Sequence, residues 1–135
     1  MSSAIKALLN QLKNPTHEMH LIRQGLDVAI VELYLKEENL LVKDILAQLN
    51  IPASTYYNIK NNDKPLDAYA SEKFVRLIHT LTLATAVLGK DEARSWLYRQ
   101  IPSLANAKPI SLLDTETGHR LVEQSLLQIK YGIYG

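Results

Sequence analysis

The sequence contains no cysteine and, beside seven tyrosines, only one tryptophan and one phenylalanine in 135 residues. Without cysteine, the chain can form neither a disulfide framework nor a zinc site built on sulfur, and it has no thiolate nucleophile. The net charge is only +1 at pH 7, so the protein as a whole has little electrostatic attraction for the phosphates of DNA. Any DNA-binding surface must therefore be a local one.

Long hydrophobic runs and catalytic patterns are also missing. The longest apolar run, around Leu81 to Leu88, is broken by threonines and is too short to cross a bilayer. There is no glycine-rich phosphate loop and no Ser-His-Asp order, and His17 and His20 lack the further ligands that a zinc site needs. We therefore expect a soluble, cytoplasmic protein that is not an enzyme, binds no metal or cofactor and does not contact membranes.

Apolar residues make up 47% of the chain, and they recur with helical periods, with no strand-like alternation. Ile5, Leu8 and Leu12 predict a first helix that ends at Asn14-Pro15, and the stretch from Ile22 to Leu33 predicts a single second helix. Asp67 is expected to cap the longest helix, which ends at Gly89, and Asp91 to cap the next, with Trp96 as a core anchor. The predicted fold class is all-α.

The segment from Val42 to Lys60 predicts a helix-turn-helix motif. A helix of about two turns is followed by the turn Asn50-Ile51-Pro52 and by a second helix from about Ala53. This arrangement places four residues on the outer face of the second helix as candidate DNA contacts: Ser54, Tyr57, Asn58 and Lys60. The same face could also be a solvated surface or a packing module, since residues 1–70 carry seven Lys/Arg against eight Asp/Glu.

The C-terminal segment has strong helix punctuation. Pro109 suits the first position of a short helix, and Asp114 or Thr115 is expected to cap the last helix. The apolar residues Leu121, Val122, Leu126 and Ile129 are predicted on one face of that helix, which Gly132 ends. His119, in its first turn, is expected at the surface or in a partner contact.

The residues of this segment also resemble a known family. Trp96-Leu97, Pro102, Leu104 and Pro109, the run Leu112-Leu113-Asp114-Thr115-Glu116-Thr117-Gly118, and the ending Tyr131-Gly132-Ile133-Tyr134 follow the order of the toxin-binding domain of Xre/ParS-type antitoxins. The resemblance covers roughly residues 21 to 135. Ala105-Asn106 departs from it, because family members commonly carry a glycine pair there.

The resemblance implies an antitoxin whose N-terminal helix-turn-helix and dimerisation region (1–66) precedes a toxin-binding domain (67–135). It implies a homodimer that represses its own promoter, and a toxin of the RES or ParT kind, which consumes NAD. In this family the last helix and tail cover the active site of the toxin, so Lys130, Tyr131, Ile133, Tyr134 and Gly135 are the predicted toxin contacts. A tail tucked against the chain's own core, or a repressor without a toxin partner, are the alternatives.

Overall fold

The computed structural model describes residues 1–132, which form eight α-helices and two short 3-10 helices. The α-helices are α1 (Ser3–Gln11), α2 (Pro15–Gln24), α3 (Val28–Glu37), α4 (Val42–Gln48), α5 (Ala53–Asn61), α6 (Ala68–Leu88), α7 (Lys90–Leu97) and α8 (Glu116–Lys130). The 3-10 helices are Pro102–Leu104 and Pro109–Leu112. The predicted all-α fold is confirmed, and within residues 1–132 no helix combines the length and apolarity needed to span a membrane.

The chain divides into two compact units, Met1–Val75 and the residues from Arg76 onward. Helix α6 runs across this boundary and contributes its first two turns to the first unit. The functional division predicted at residues 66 and 67 lies upstream of the structural boundary and stays a prediction.

The first unit is a cluster of short helices whose ends are held by side chains. The Asn14 side chain accepts hydrogen bonds from the N–H groups of Thr16 and His17, and Asp27 accepts one from Ala29. These caps satisfy donors that the first turn of a helix leaves without an intrahelical partner. Isoleucine and leucine side chains of α1, α3 and α4 fill the core between them.

The single helix predicted from Ile22 to Leu33 is wrong, because this segment forms the end of α2 and most of α3. Gly25 breaks it with a φ of 92°, and a Cβ at this position would collide with the carbonyl oxygen of Leu66. The sequence pattern also predicts that Asn14-Pro15 ends α1, but in the structure Asn14 caps α2 and Pro15 is its first residue. An Asn-Pro pair suits either role, since proline fits the first helical position.

Helices α4 and α5 lie where the helix-turn-helix motif is predicted. Asn50, in the turn between them, has a φ of 56°, a left-handed conformation that asparagine tolerates better than most residues. Tyr56 of α5 is fully buried and its ring lies 6.5 Å from that of Phe74 on α6. The buried Lys73 donates a hydrogen bond of 2.9 Å from Nζ to the carbonyl oxygen of Asn50, which anchors the turn to α6.

The second unit contains the end of α6, α7, both 3-10 helices and α8. Trp96 is buried as predicted, and Val122 and Leu126 of α8 are fully buried. Helix α8 contacts both 3-10 helices. Two expectations are wrong here: Asp91 lies inside the first turn of α7 and pairs with Arg94 at 2.7 Å, and Leu121 is 48% exposed.

Ala105 and Asn106 both adopt the left-handed conformation, with φ angles of 55° and 62°. They form the turn after the first 3-10 helix, where the N–H of Asn106 donates to the carbonyl oxygen of Ile101 at 3.0 Å. The turn is therefore present without the glycine pair. It includes one residue, Ala105, whose Cβ makes this conformation unfavourable.

We expect Ala105→Gly to stabilise the second unit by about 1 kcal/mol, because glycine has no Cβ to oppose a positive φ. Urea unfolding followed by circular dichroism measures the change. The matched control is Ala107→Gly, at a residue of ordinary φ that pairs with Ile101, where added backbone entropy should lower the stability. Equal destabilisation by both substitutions would contradict the prediction.

Candidate functional site: the last helix and the face of α5

The start of α8 is set by the run from Leu112 to Gly118. The hydroxyl of Thr115 accepts a hydrogen bond of 3.0 Å from the N–H of Gly118, so Thr115 is the cap and Asp114 is not. Gly118 is buried, and a Cβ at this position would collide with the carbonyl oxygen of Leu112. The motif therefore has a structural role: it allows α8 to approach the second 3-10 helix backbone to backbone.

Arg76 of α6 forms hydrogen bonds to the same Leu112–Gly118 segment. Its Nη1 donates to the carbonyl oxygens of Leu113 and Asp114, each at 3.3 Å, and its Nε lies 3.4 Å from Oε2 of Glu116. The guanidinium is largely buried, and carbonyls at the end of a short helix need such donors. Asp114 thus takes part in the positioning of α8 through its backbone carbonyl, and Glu116 through its carboxylate.

His119 is largely buried, which corrects the expectation of a surface position. Its side chain is only 12% exposed, and its nitrogens lie 3.9 Å from carboxylate oxygens of Glu116 and Glu123. Among the described residues, its Nε2 is one of two buried side-chain polar atoms without a hydrogen-bond partner. Burial lowers the pKa of His119 below its ordinary value of 6.5, against the opposing effect of the two carboxylates.

A histidine with a depressed pKa destabilises the fold when it must be protonated. Below about pH 6.5 the unfolded chain binds a proton that folded His119 resists, so the free energy of unfolding should fall as the pH drops through this range. We expect His119→Gln to reduce this loss of stability, measured by urea unfolding between pH 7.5 and 5. His17→Gln, at an exposed residue of α2, is the control and should keep the wild-type profile. Superimposable profiles of wild type and His119→Gln would contradict this account.

The C-terminal end of α8 presents an exposed aromatic residue. Tyr131 is 66% exposed and the Lys130 ammonium lies 5.4 Å from the centre of its ring. Gly132 follows with a φ of 67°, so it ends the helix as predicted. Of the five predicted toxin contacts, Ile133, Tyr134 and Gly135 lie outside the described residues.

One side of α8 carries apolar and amide side chains and ends at Tyr131. Leu121, Gln124, Gln128 and Tyr131 are spaced by three or four residues, and such positions share one side of a helix. Leu121 and Gln124 are exposed, and Gln128 is half-buried. We call these four residues the outer face of α8.

The four predicted DNA contacts lie on α5, and they differ in their exposure and in the contacts that their side chains already make. Ser54 and Asn58 are exposed, and the Asn58 amide oxygen accepts a hydrogen bond from Asn62 at 3.2 Å. Tyr57 is half-buried and packs edge-on against Tyr56, with ring centres 5.1 Å apart. Lys60 forms an ion pair of 3.0 Å with Glu32 of α3.

A cleft of about 540 Å³ borders this end of α5. Its charged lining consists of three carboxylates and two amines, contributed by Asp27, Glu32, Asp63, Lys60 and Lys64. The surface around Lys60 is thus close to neutral, with a slight excess of negative charge. This local balance agrees with the weak basicity of residues 1–70.

Residues 1–132 contain no cluster of three or more His, Asp or Glu side chains able to hold a metal ion. Sequence reasoning missed the roles of Arg76, Gly118 and Glu32. No local pattern pointed to Arg76, since its partners are 37 to 40 residues away. No local pattern pointed to Glu32, since its partners are 24 and 28 residues away.

Comparison with known proteins agrees with the sequence motifs. Residues 83–132 match the family described as "Antitoxin Xre/MbcA/ParS C-terminal toxin-binding domain". This segment begins within α6 and includes α7, both 3-10 helices and α8. It therefore contains the whole Leu112–Gly118 motif and the outer face of α8.

Three curated relatives carry the name "Antitoxin Xre". The one from Pseudomonas putida is 34% identical over 86 residues, which cover 63% of this chain and 54% of the relative. The one from Yersinia enterocolitica is 24% identical, over 84% of this chain and 78% of the relative, and the one from Photorhabdus laumondii is 28% identical, over 87% and 80%. The chain spans about half the length of the first of these proteins.

The resemblance to Xre/ParS-type antitoxins is confirmed by these matches. The chain is similar to proteins of that class, and residues 83–132 match the model of their C-terminal toxin-binding domain.

Proposed function

We propose that this chain is an antitoxin that binds and neutralises a toxin protein through α8 and the residues that follow it. The observation that carries the proposal is the exposed end of α8. Tyr131 and Leu121 expose large apolar side chains within the segment that matches the toxin-binding domain family. Exposed aromatic residues of this kind supply much of the binding energy in protein interfaces.

The proposed mechanism is occlusion of the toxin's active site. Resemblance to the family suggests a toxin of the RES or ParT kind that consumes NAD, whose cleft accepts flat rings. Ile133, Tyr134 and Gly135 would enter that cleft, with Lys130 and Tyr131 at its rim. Gly132, which precedes these residues, ends α8 with a positive φ.

The tail can be tested with a variant that ends at Gly132. Loss of two apolar anchors should weaken the toxin complex by on the order of a hundredfold or more. We expect this variant to keep its helical content, because the buried residues of α8 precede Gly132. It should fail to protect cells when it is co-expressed with the toxin encoded beside its gene, and it should fail to restore cellular NAD.

Leu41→Ser is the control for loss of an exposed apolar side chain, since Leu41 is highly exposed in the first unit. This variant should protect cells like the wild type. Full protection by the variant ending at Gly132 would show that neutralisation uses another surface. Absence of any complex between the wild-type chain and the neighbouring gene product would contradict the antitoxin proposal itself and favour a repressor without a toxin partner.

A second candidate function is binding of promoter DNA by the first unit as part of a homodimer. It is supported by the helix pair α4 and α5 and by the exposed polar residues of α5. Two copies would place two α5 helices in half-sites about one helical turn apart, or a multiple of it. In this reading the protein has no catalytic activity of its own, uses no cofactor and works in the cytoplasm.

We expect Lys60→Ala to weaken binding to promoter and random DNA alike, because a lysine on phosphate carries no sequence information. Asn58→Ala should instead reduce the preference for the promoter at one base pair, since asparagine pairs well with adenine. Fluorescence anisotropy with both duplexes at several salt concentrations measures each effect. A wild-type protein that binds promoter and random DNA equally would argue against sequence-specific repression by this chain alone.

A further inference from the structure

Glu32 is a carboxylate on α3 whose two oxygens both bind side chains of α5. Oε2 accepts a hydrogen bond of 2.6 Å from the hydroxyl of Tyr56, and Oε1 accepts one of 3.0 Å from Nζ of Lys60. Tyr56 and Lys60 are four residues apart, so they lie on the same side of α5. One carboxylate therefore spans a full turn of the helix that carries the candidate DNA contacts.

Lys60 is the only cationic residue of α5. A lysine contributes to DNA affinity by neutralising a phosphate and releasing its counterion. In this structure Nζ of Lys60 is instead paired with the carboxylate of Glu32. The cleft around the pair supplies two further carboxylates, Asp27 and Asp63, against one further amine, Lys64.

The two bonds to Glu32 differ in strength. The ion pair with Lys60 is largely solvated, with side-chain exposures of 43% for Lys60 and 27% for Glu32, and such pairs contribute little to stability. The bond from Tyr56 is short and charge-assisted, and Tyr56 itself is buried. Lys60 can therefore leave Glu32, whereas Tyr56 keeps the carboxylate in place beside α5.

We propose that Glu32 is an internal competitor for DNA phosphate, which holds Lys60 and keeps the affinity of α5 for DNA low. The inference rests on the proposed DNA-binding function. When Lys60 moves to a phosphate, it must give up its bond to Glu32, so the net gain in affinity from the phosphate contact is smaller. Stable binding of the first unit to the promoter then requires a further source of affinity, such as a second copy of the chain bound to the same DNA.

The test is Glu32→Gln, which removes the charge and leaves an amide oxygen to accept the Tyr56 hydroxyl. We expect this variant of the full chain to bind both promoter and random duplexes on the order of tenfold more tightly than the wild type near 0.1 M salt, with a steeper salt dependence, as gain of one phosphate contact per subunit predicts. Glu92→Gln is the control: it makes the same change in net charge in the other unit, where Glu92 pairs with Arg99, and it should change the affinity less than twofold.

The double variant Glu32→Gln/Lys60→Ala shows whether the gain in DNA affinity comes from release of Lys60 or from a general loss of negative charge. Most of the gain should disappear in it, leaving an affinity close to that of Lys60→Ala. If Glu32→Gln and Glu92→Gln bind DNA equally, or if the gain persists without Lys60, the inference is wrong while DNA binding stands. If no variant binds either duplex even at low salt, the DNA-binding proposal is wrong and the inference falls with it. Circular dichroism melting checks that each variant is folded.

Discussion

Satisfaction of backbone groups at the ends of short helices is the constraint on which this structure depends. Eight helices in 132 described residues leave many N–H and C=O groups without an intrahelical partner. Three side chains within two turns of α6 satisfy several of them. Ser71 accepts from the N–H of Leu26, Lys73 donates to the carbonyl of Asn50, and Arg76 donates to those of Leu113 and Asp114.

These contacts explain why α6 carries three polar side chains that are buried or nearly buried. Ser71 and Lys73 are buried, and the Arg76 side chain is nearly so. A buried charge is costly unless its hydrogen bonds are satisfied. Lys73 meets this requirement through Asn50 and through the Tyr69 ring, whose centre lies 4.0 Å from Nζ. Ser71 and Lys73 fix turns of the first unit, and Arg76 fixes the approach to α8 in the second.

Features that depend on neighbouring residues could be predicted from the sequence. The helical periods predicted the all-α class. Residues that cap helix starts or follow helix ends predicted several boundaries, including Asp67 before α6 and Gly132 after α8. The break at Gly25 also has a local signal, because Gly25 ends α2 and Asp27 caps α3. The close approach of Leu66 to Gly25, 41 positions away, has no such signal.

The same distinction applies to the candidate sites. Tyr131 is exposed because it follows the last turn of a helix, a local property that the sequence contains. The burial of His119 and the ion pair of Lys60 depend on residues brought together by the fold. The helical period predicted the exposure of Ser54 and Asn58, but not that of Leu121 or the burial of His119, and it gave no partners on other helices. The electrostatics of the α5 face therefore had to come from the structure.

Gly118 determines how far α8 stands from the 3-10 helix beneath it. Because a Cβ would collide with the carbonyl of Leu112, the separation is fixed by backbone atoms and by the buried side of α8. Residues on the outer face of α8 have no part in it. Substitutions at Leu121, Gln124 or Tyr131 can therefore alter the chemistry presented to a partner while the helix keeps its position, so that binding specificity can diversify without a new fold.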